Sequence, residues 1–227
     1  YRDLLYNADK KLYLAVKEPD NYYGKIKETA WSVWPTWESW NWPGHEGKPI
    51  EAEVYSRYPK VRLYLNDELV GERTVGVEQR FMAVFALPYQ PGTLKAIGVD
   101  AEGREAEEKV LVTAGEPAKI RLTPDRKTLK ADGQDLSFVT VEVVDKEGRV
   151  VPDAANRLSF EVKGAGVIAA VGNANLRDTD PYVGKERNAW KGRAMVIVKS
   201  TAKSGTIRLK VSGEGLDSAS LSIKATR

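Results

Sequence analysis

Apolar and polar positions alternate along most of this 227-residue chain, the two-residue period of half-buried strands. Residues 50–57 set Ala52 and Val54 on one face, and 60–66 point Val61, Leu63 and Leu65 inward. Asn66-Asp67 turns the chain and 69–75 returns. Residues 79–87 form a longer strand, stopped by Pro88 and followed by the Pro91-Gly92 turn. Residues 93–100 and 104–112 make a hairpin around Ala101-Glu102-Gly103. A linker over 113–118, punctuated by Gly115 and Pro117, precedes a second series at 119–123, 137–145, 158–162, 166–172, 193–200, 205–212 and 217–224. Asp145 and Gly148 spell the turn of a hairpin over 143–150. Seven strands in about 110 residues match an immunoglobulin-like sandwich. The expected fold is all-β, with two consecutive immunoglobulin-like antiparallel β-sandwich domains at 46–115 and 116–227 behind an N-terminal extension, 1–45.

Two stretches break the pattern. Residues 1–18 are briefly amphipathic, with Leu4-Leu5 and then Leu12-Tyr13-Leu14-Ala15-Val16, and cannot bury their apolar side alone. The first part suits the tail of a helix from a preceding domain. Residues 31–47 hold five of the six tryptophans and the only histidine. Steps of three from Trp31 to Trp40 fit neither a helical face nor strand alternation, and Pro35 and Pro43-Gly44 argue against one helix. This predicts an extended, kinked segment whose rings cover a core edge.

Two roles fit those rings. Tryptophan has a large apolar body and one N–H, so mixed burial in a structural clamp is its ordinary fate. Rings flanked by polar groups also make sugar platforms. The candidates for a carbohydrate-binding platform are Trp37, Trp40 and Trp42 with His45 and Glu46, and separately Trp190 in the long loop 172–191. Loops of that length in compact domains tend to be functional or mobile.

Composition narrows the chemistry. Charged residues are 30% and apolar ones 42%, and no apolar run approaches the roughly 20 residues of a membrane span. Nothing at Tyr1 resembles a signal peptide, and without an initiating Met the sequence reads as part of something longer. With no cysteine, disulfides, thiol catalysis and cysteine-ligated metals are excluded. The net charge of +3 is uneven: residues 1–115 carry 15 Lys and Arg against 18 acids, and residues 116–227 carry 20 against 14. The basic residues are interspersed with acids rather than gathered in a stripe, which argues against nucleic acid.

One histidine and no thiol leave no nucleophilic triad, and the adjacent Glu107-Glu108 point to opposite strand faces. A glycosidase needs two carboxyls facing each other across a cleft, and no such pair stands out. No catalytic residue is nominated. Asp178, Asp180 and Glu186 lack a calcium-loop spacing, and His45-Glu46 offers a zinc ion one nitrogen, so no metal or other cofactor is expected.

Certain runs are familiar. Trp40-Asn-Trp42-Pro-Gly-His-Glu-Gly-Lys-Pro-Ile-Glu-Ala-Glu-Val-Tyr-Ser56, then Val61-Arg-Leu-Tyr-Leu-Asn66 and Leu69-Val-Gly71, resemble the first β-sandwich after the catalytic barrel of glycoside hydrolase family 2, β-galactosidase type. Asp145-Lys-Glu-Gly-Arg-Val-Val-Pro-Asp153, Leu158-Ser-Phe160, Gly164-Ala-Gly166, Val171-Gly-Asn173 and Gly192-Arg-Ala-Met-Val-Ile-Val198 resemble its next accessory domain. The turn at Asn66-Asp67 and the loop Gly172-Asn-Ala-Asn175 depart from the family's usual Asn-Gly and Gly-Asn-Gly.

The resemblance implies a non-catalytic C-terminal part of an exported bacterial galactosidase, periplasmic or on the cell surface. Its partner would be the catalytic (β/α)8 barrel of the same parent chain, with galactose-containing glycans as a further one. The family's two catalytic glutamates lie on that barrel, so none is carried over. Tyr1–Leu5 would end the barrel's last helix, and the tryptophan-rich stretch would pack against the barrel. The other reading is a pair of carbohydrate-binding modules acting through exposed tryptophans.

Overall fold

The computed structural model describes residues 6, 11–30 and 34–227. It divides into two compact units, meeting at Thr113 and Ala114. Both are β-sandwiches, so the all-β, immunoglobulin-like class stands.

The first unit stacks two four-stranded sheets. One has the order β2 (Thr36–Trp37), β1 (Leu12–Lys17), β3 (Pro49–Ser56), β6 (Met82–Pro88). The other runs β5 (Glu68–Thr74), β4 (Lys60–Leu65), β7 (Thr93–Val99), β8 (Glu105–Val112). Alternate residues of β3, β4 and β6 are buried, as a strand with one wet face requires. Leu14, Ala52, Val54, Leu63, Phe85 and Leu94 fill the space between the sheets.

Residues 11–45 are not an appendage to this unit. β1 lies inside the first sheet, antiparallel to β3 from Leu12↔Ser56 to Val16↔Ala52, and β2 pairs on its other edge at Val16↔Trp37. Leu14, Ala15 and Val16 are all buried, whichever way they point. A strand covered on both faces reads as a continuous apolar run, not an alternation. The barrel-helix end expected over residues 1–5, and Trp31, lie outside the described residues.

In the second unit, β13 (Gly166–Gly172), β15 (Arg193–Ser200), β11 (Leu136–Val144) and β9 (Lys119–Pro124) form one sheet. The facing sheet holds β17 (Leu216–Thr226), β16 (Gly205–Gly213), β12 (Arg157–Gly164) and the short β14 (Glu186–Asn188). The pairings are antiparallel except on β17, which meets β9 at Asp217↔Lys119 and β10 (Thr128–Lys130) in parallel. The first segment therefore changes sheets between β9 and β10. Asp125 fixes that crossing, accepting the Phe138 amide at 2.8 Å and the Ser137 hydroxyl at 3.0 Å. The turn after β11 is held by Asp145, a buried side chain that accepts the amides of Gly115 (2.9 Å) and Arg149 (2.7 Å). Burial pushes its carboxyl up, but those amides and the Arg149 guanidinium outweigh it and keep the group below its ordinary value.

Gly164-Ala165-Gly166 carries the chain from one sheet to the other against β16. Gly164 has φ +95°, and a methyl group there would meet the Thr206 carbonyl oxygen at 2.1 Å. Gly164→Ala combines a conformation alanine avoids with a backbone clash. It should cost the second unit about 2–3 kcal/mol in urea unfolding, whereas Gly148→Ala, in an open turn, costs only the backbone strain of about 1 kcal/mol.

Candidate functional site

The tryptophan-rich stretch does two different things. Its C-terminal half is core. Trp40 is 1% exposed, donates its indole N–H to the Gln90 carbonyl at 2.9 Å and stands edge-on to Tyr89, with ring centroids 5.0 Å apart. Trp42 is fully buried, edge-on to Tyr22 at 5.1 Å, and its main-chain amide donates to the Tyr89 hydroxyl at 3.1 Å. Thr113 ties the end of this unit to the same place by donating to the Trp40 carbonyl at 2.7 Å. Neither face of Trp40 or Trp42 is open to a sugar in this fold, which corrects the expectation that they form a platform. An extended segment bearing large rings serves here as the plug of an open sandwich end.

His45 and Glu46 shape the following turn. The His45 amide donates to the Trp42 carbonyl at 3.0 Å, and its Nε2 lies 2.9 Å from the Pro49 carbonyl. A carbonyl can only accept, so Nε2 carries the proton. Glu46 accepts the Gly44 amide at 3.2 Å. Both side chains hold the backbone between Trp42 and β3.

The N-terminal half stays partly open. Trp37 and Trp34 are half-buried, and both are oriented by Glu18 at the end of β1. Trp37 donates its N–H to the Glu18 carboxylate at 2.7 Å, and Trp34 donates to the Glu18 carbonyl at 2.8 Å. Beside Trp34 the outer face of the first sheet forms a cleft of about 270 Å³, lined also by Lys17, Asp20, Ile50 and Glu51. Sequence reasoning missed this cleft. Its signal was the acidic and basic residues of the segment before Trp34, legible only once β1 is known to lie beside β3.

In the second unit Trp190 is half-buried, with the Lys191 ammonium 5.3 Å from its ring centre. Trp190-Lys191-Gly192-Arg193 is a two-residue hairpin turn, its central residues at φ +51° and +72°. It is closed by the Trp190 and Arg193 amides donating to each other's carbonyls at 2.8 and 3.1 Å. Trp190 is the one candidate that falls in the second unit.

The loop before it is built around Arg187, which is buried. Its guanidinium donates to the carbonyls of Asp180 (3.1 Å), Val171 (3.2 Å) and Pro181 (2.8 Å), pairs with Asp178 at 3.1 Å and lies 5.3 Å from the Tyr182 ring centre. Asn173 adds bonds to Asp178 (2.6 Å) and the Asn188 carbonyl (3.0 Å). The Asp180 amide, together with Arg187 and Asn173, holds the Asp178 carboxyl below its ordinary value. Asp178 thus faces a fixed guanidinium. Outside this network Leu176 and Val183 stand exposed, and Tyr182, although against the guanidinium, is largely exposed as well.

Among the described residues no group of three or more metal-binding side chains converges, and no helix is long and apolar enough to cross a membrane.

The family model described as glycoside hydrolase family 2 C-terminal domain 5 matches residues 120–222, and a model described as a domain of unknown function (DUF4982) matches 47–107. Beta-galactosidase BoGH2A of Bacteroides ovatus is 37% identical over 91% of this chain and 24% of its own length. A beta-glucuronidase of Formosa agariphila is 29% identical over 82% of this chain and 19% of its own. The crystal structure of a glycosyl hydrolase family 2 member from Bacteroides cellulosilyticus superposes over 100% of this chain and 30% of its own, with TM-score 0.92 and 33% identity. The chain therefore spans about a quarter of the length of these relatives. Matched in both units and in order, it belongs to glycoside hydrolase family 2 as C-terminal domains of that family.

Proposed function

We propose that the chain is the non-catalytic C-terminal part of a β-galactosidase-type family 2 glycosidase. It braces a catalytic (β/α)8 barrel of the same parent chain and walls one side of the substrate cleft. The observation that carries this reading is the Arg187-centred loop. Ordering a surface loop costs about 1–2 kcal/mol per residue in backbone entropy alone. Here a buried arginine offsets that cost by bonding the carbonyls of Val171, Asp180 and Pro181, and Leu176, Tyr182 and Val183 of the same loop stand exposed. Apolar side chains presented on a rigid frame suit a permanent contact with another folded body. A parent of this kind, acting on galactose-containing glycans, would work in the periplasm or at the cell surface.

The test is the barrel-bearing parent with Leu176→Asp and Val183→Asp together. Losing two apolar contacts of about 1 kcal/mol each should lower barrel melting by roughly 4–8 °C. The 227-residue chain alone should melt unchanged, because both side chains are already in water. Unchanged barrel melting in the double variant would refute the bracing role of this loop.

A further inference from the structure

The cleft beside Trp34 serves neither core nor turn, and its lining has a definite chemical character. Trp34 is held by its indole N–H on the Glu18 carbonyl, so its ring is fixed before any ligand arrives. The Lys17 ammonium lies over the ring, 5.3 Å from its centre, and pairs with Glu51 at 2.9 Å, across neighbouring strands β1 and β3. That hydrogen bond to Glu51 raises the Lys17 pKa, so the ammonium stays charged throughout the neutral range. Asp20 is exposed at the rim, and Pro19, Pro49, Ile50 and Ala86 complete an apolar floor and wall.

An orienting aromatic ring, an apolar floor and a few fixed polar groups are the ingredients of a small-molecule site. A pyranose has one face of C–H groups for the ring and a rim of hydroxyls that both donate and accept. Lys17 can only donate and Glu51 only accept, so a paired ammonium and carboxylate complement adjacent hydroxyls. The size fits one sugar ring rather than a chain, because about 270 Å³ falls just below the range of sites for drug-sized ligands. The lining also has one lysine against three acids, Glu18, Asp20 and Glu51, which disfavours an anionic sugar. We propose that this cleft, on the outer face of the first sheet, binds a single neutral hexopyranose stacked on Trp34, with Lys17 and Glu51 bonding its hydroxyls. The site is separate from the loop of the second unit, so it stands or falls independently of the bracing role.

The experiment is NMR titration of the 227-residue chain, following indole N–H signals. The ligands are methyl β-D-galactopyranoside and methyl β-D-glucopyranoside, a galacto-oligosaccharide, and glucuronate. The expected result is saturable movement of the Trp34 signal by at least one neutral glycoside, with Kd about 1–10 mM, and glucuronate at least about fivefold weaker. An oligosaccharide that binds no tighter than the methyl glycoside would fit a single-ring site. One that binds more than about tenfold tighter would overturn it in favour of an extended groove. Trp34→Phe and Glu51→Gln should each weaken binding about tenfold, while Trp190→Ala leaves it unchanged. Both are conservative exchanges at partly exposed positions, so the fold survives to be tested. No saturation below about 50 mM, binding indifferent to both variants, or a preference for glucuronate would overturn the assignment.

Discussion

Replacing Trp42 by alanine will lower the unfolding free energy of the first unit by about 3–5 kcal/mol, among the largest effects of any single substitution in this chain. The ring is wholly buried against Tyr22 and Tyr23, and the Tyr89 hydroxyl pins its backbone, so the neighbours cannot collapse into the space it leaves. A sharper comparison uses phenylalanine. The Trp42 indole N–H finds no acceptor among the described residues, whereas that of Trp40 bonds the Gln90 carbonyl. Trp42→Phe loses ring volume but also removes an unpaired buried donor, which offsets about 1–3 kcal/mol. Trp40→Phe loses similar volume and orphans a carbonyl. Trp40→Phe should therefore be the more damaging of the two, although both rings are equally buried. Urea unfolding followed by tryptophan fluorescence reads this directly, because five of the six tryptophans lie in residues 31–42. A Trp42→Ala protein within about 1 kcal/mol of wild type would mean that the plug is not part of the core.

Arg187→Met carries the second large effect, about 3–5 kcal/mol from the second unit. Methionine fills much of the volume but cannot bond the carbonyls of Val171, Asp180 and Pro181, or balance Asp178. The sign of the pH dependence follows from Asp178. Its folded-state pKa is depressed, so its contribution is fully present above the unfolded value of about 3.9 and is lost as pH falls through the lower folded value. The gap between wild type and Arg187→Met should therefore narrow below about pH 4 and stay constant from there to neutrality. Proteolysis supplies an independent readout: cleavage between residues 173 and 186 should become faster in the variant. A gap that widens in acid would contradict the pairing.

The strands with one wet face were plain in the sequence because their burial alternates. Residues 166–172 and 193–200 were legible to the residue, and β3 and β4 to within one. What escaped were elements whose cues are not alternation. β1 is buried on both faces and reads as a bare apolar run, which a short helix segment imitates. β10 and β14 have three residues each, too few to show any period. The candidate site was half legible. Its ring chemistry could be seen, but Trp40 and Trp42 were grouped with Trp37 because spacing along an irregular segment does not say which rings turn inward. Beside Trp34, Lys17 gains its partner Glu51 only through the pairing of β1 with β3, a contact between residues more than thirty apart.

The placement of β1 inside its sheet also bears on how such domains could be exchanged between parent enzymes. A cut near residue 46, just ahead of β3, looks harmless on the hairpin pattern, yet it would strip one edge of β3 of every partner from Ala52 to Ser56. The transferred piece would leave its plug, Trp40 and Trp42, behind, and the recipient would gain an unprotected strand prone to pairing with another molecule. A transferable cassette must instead begin ahead of Leu12. Any recombination that spares both parents is thereby pushed upstream of the tryptophans, so the Trp34 cleft would travel with the sandwich it sits on.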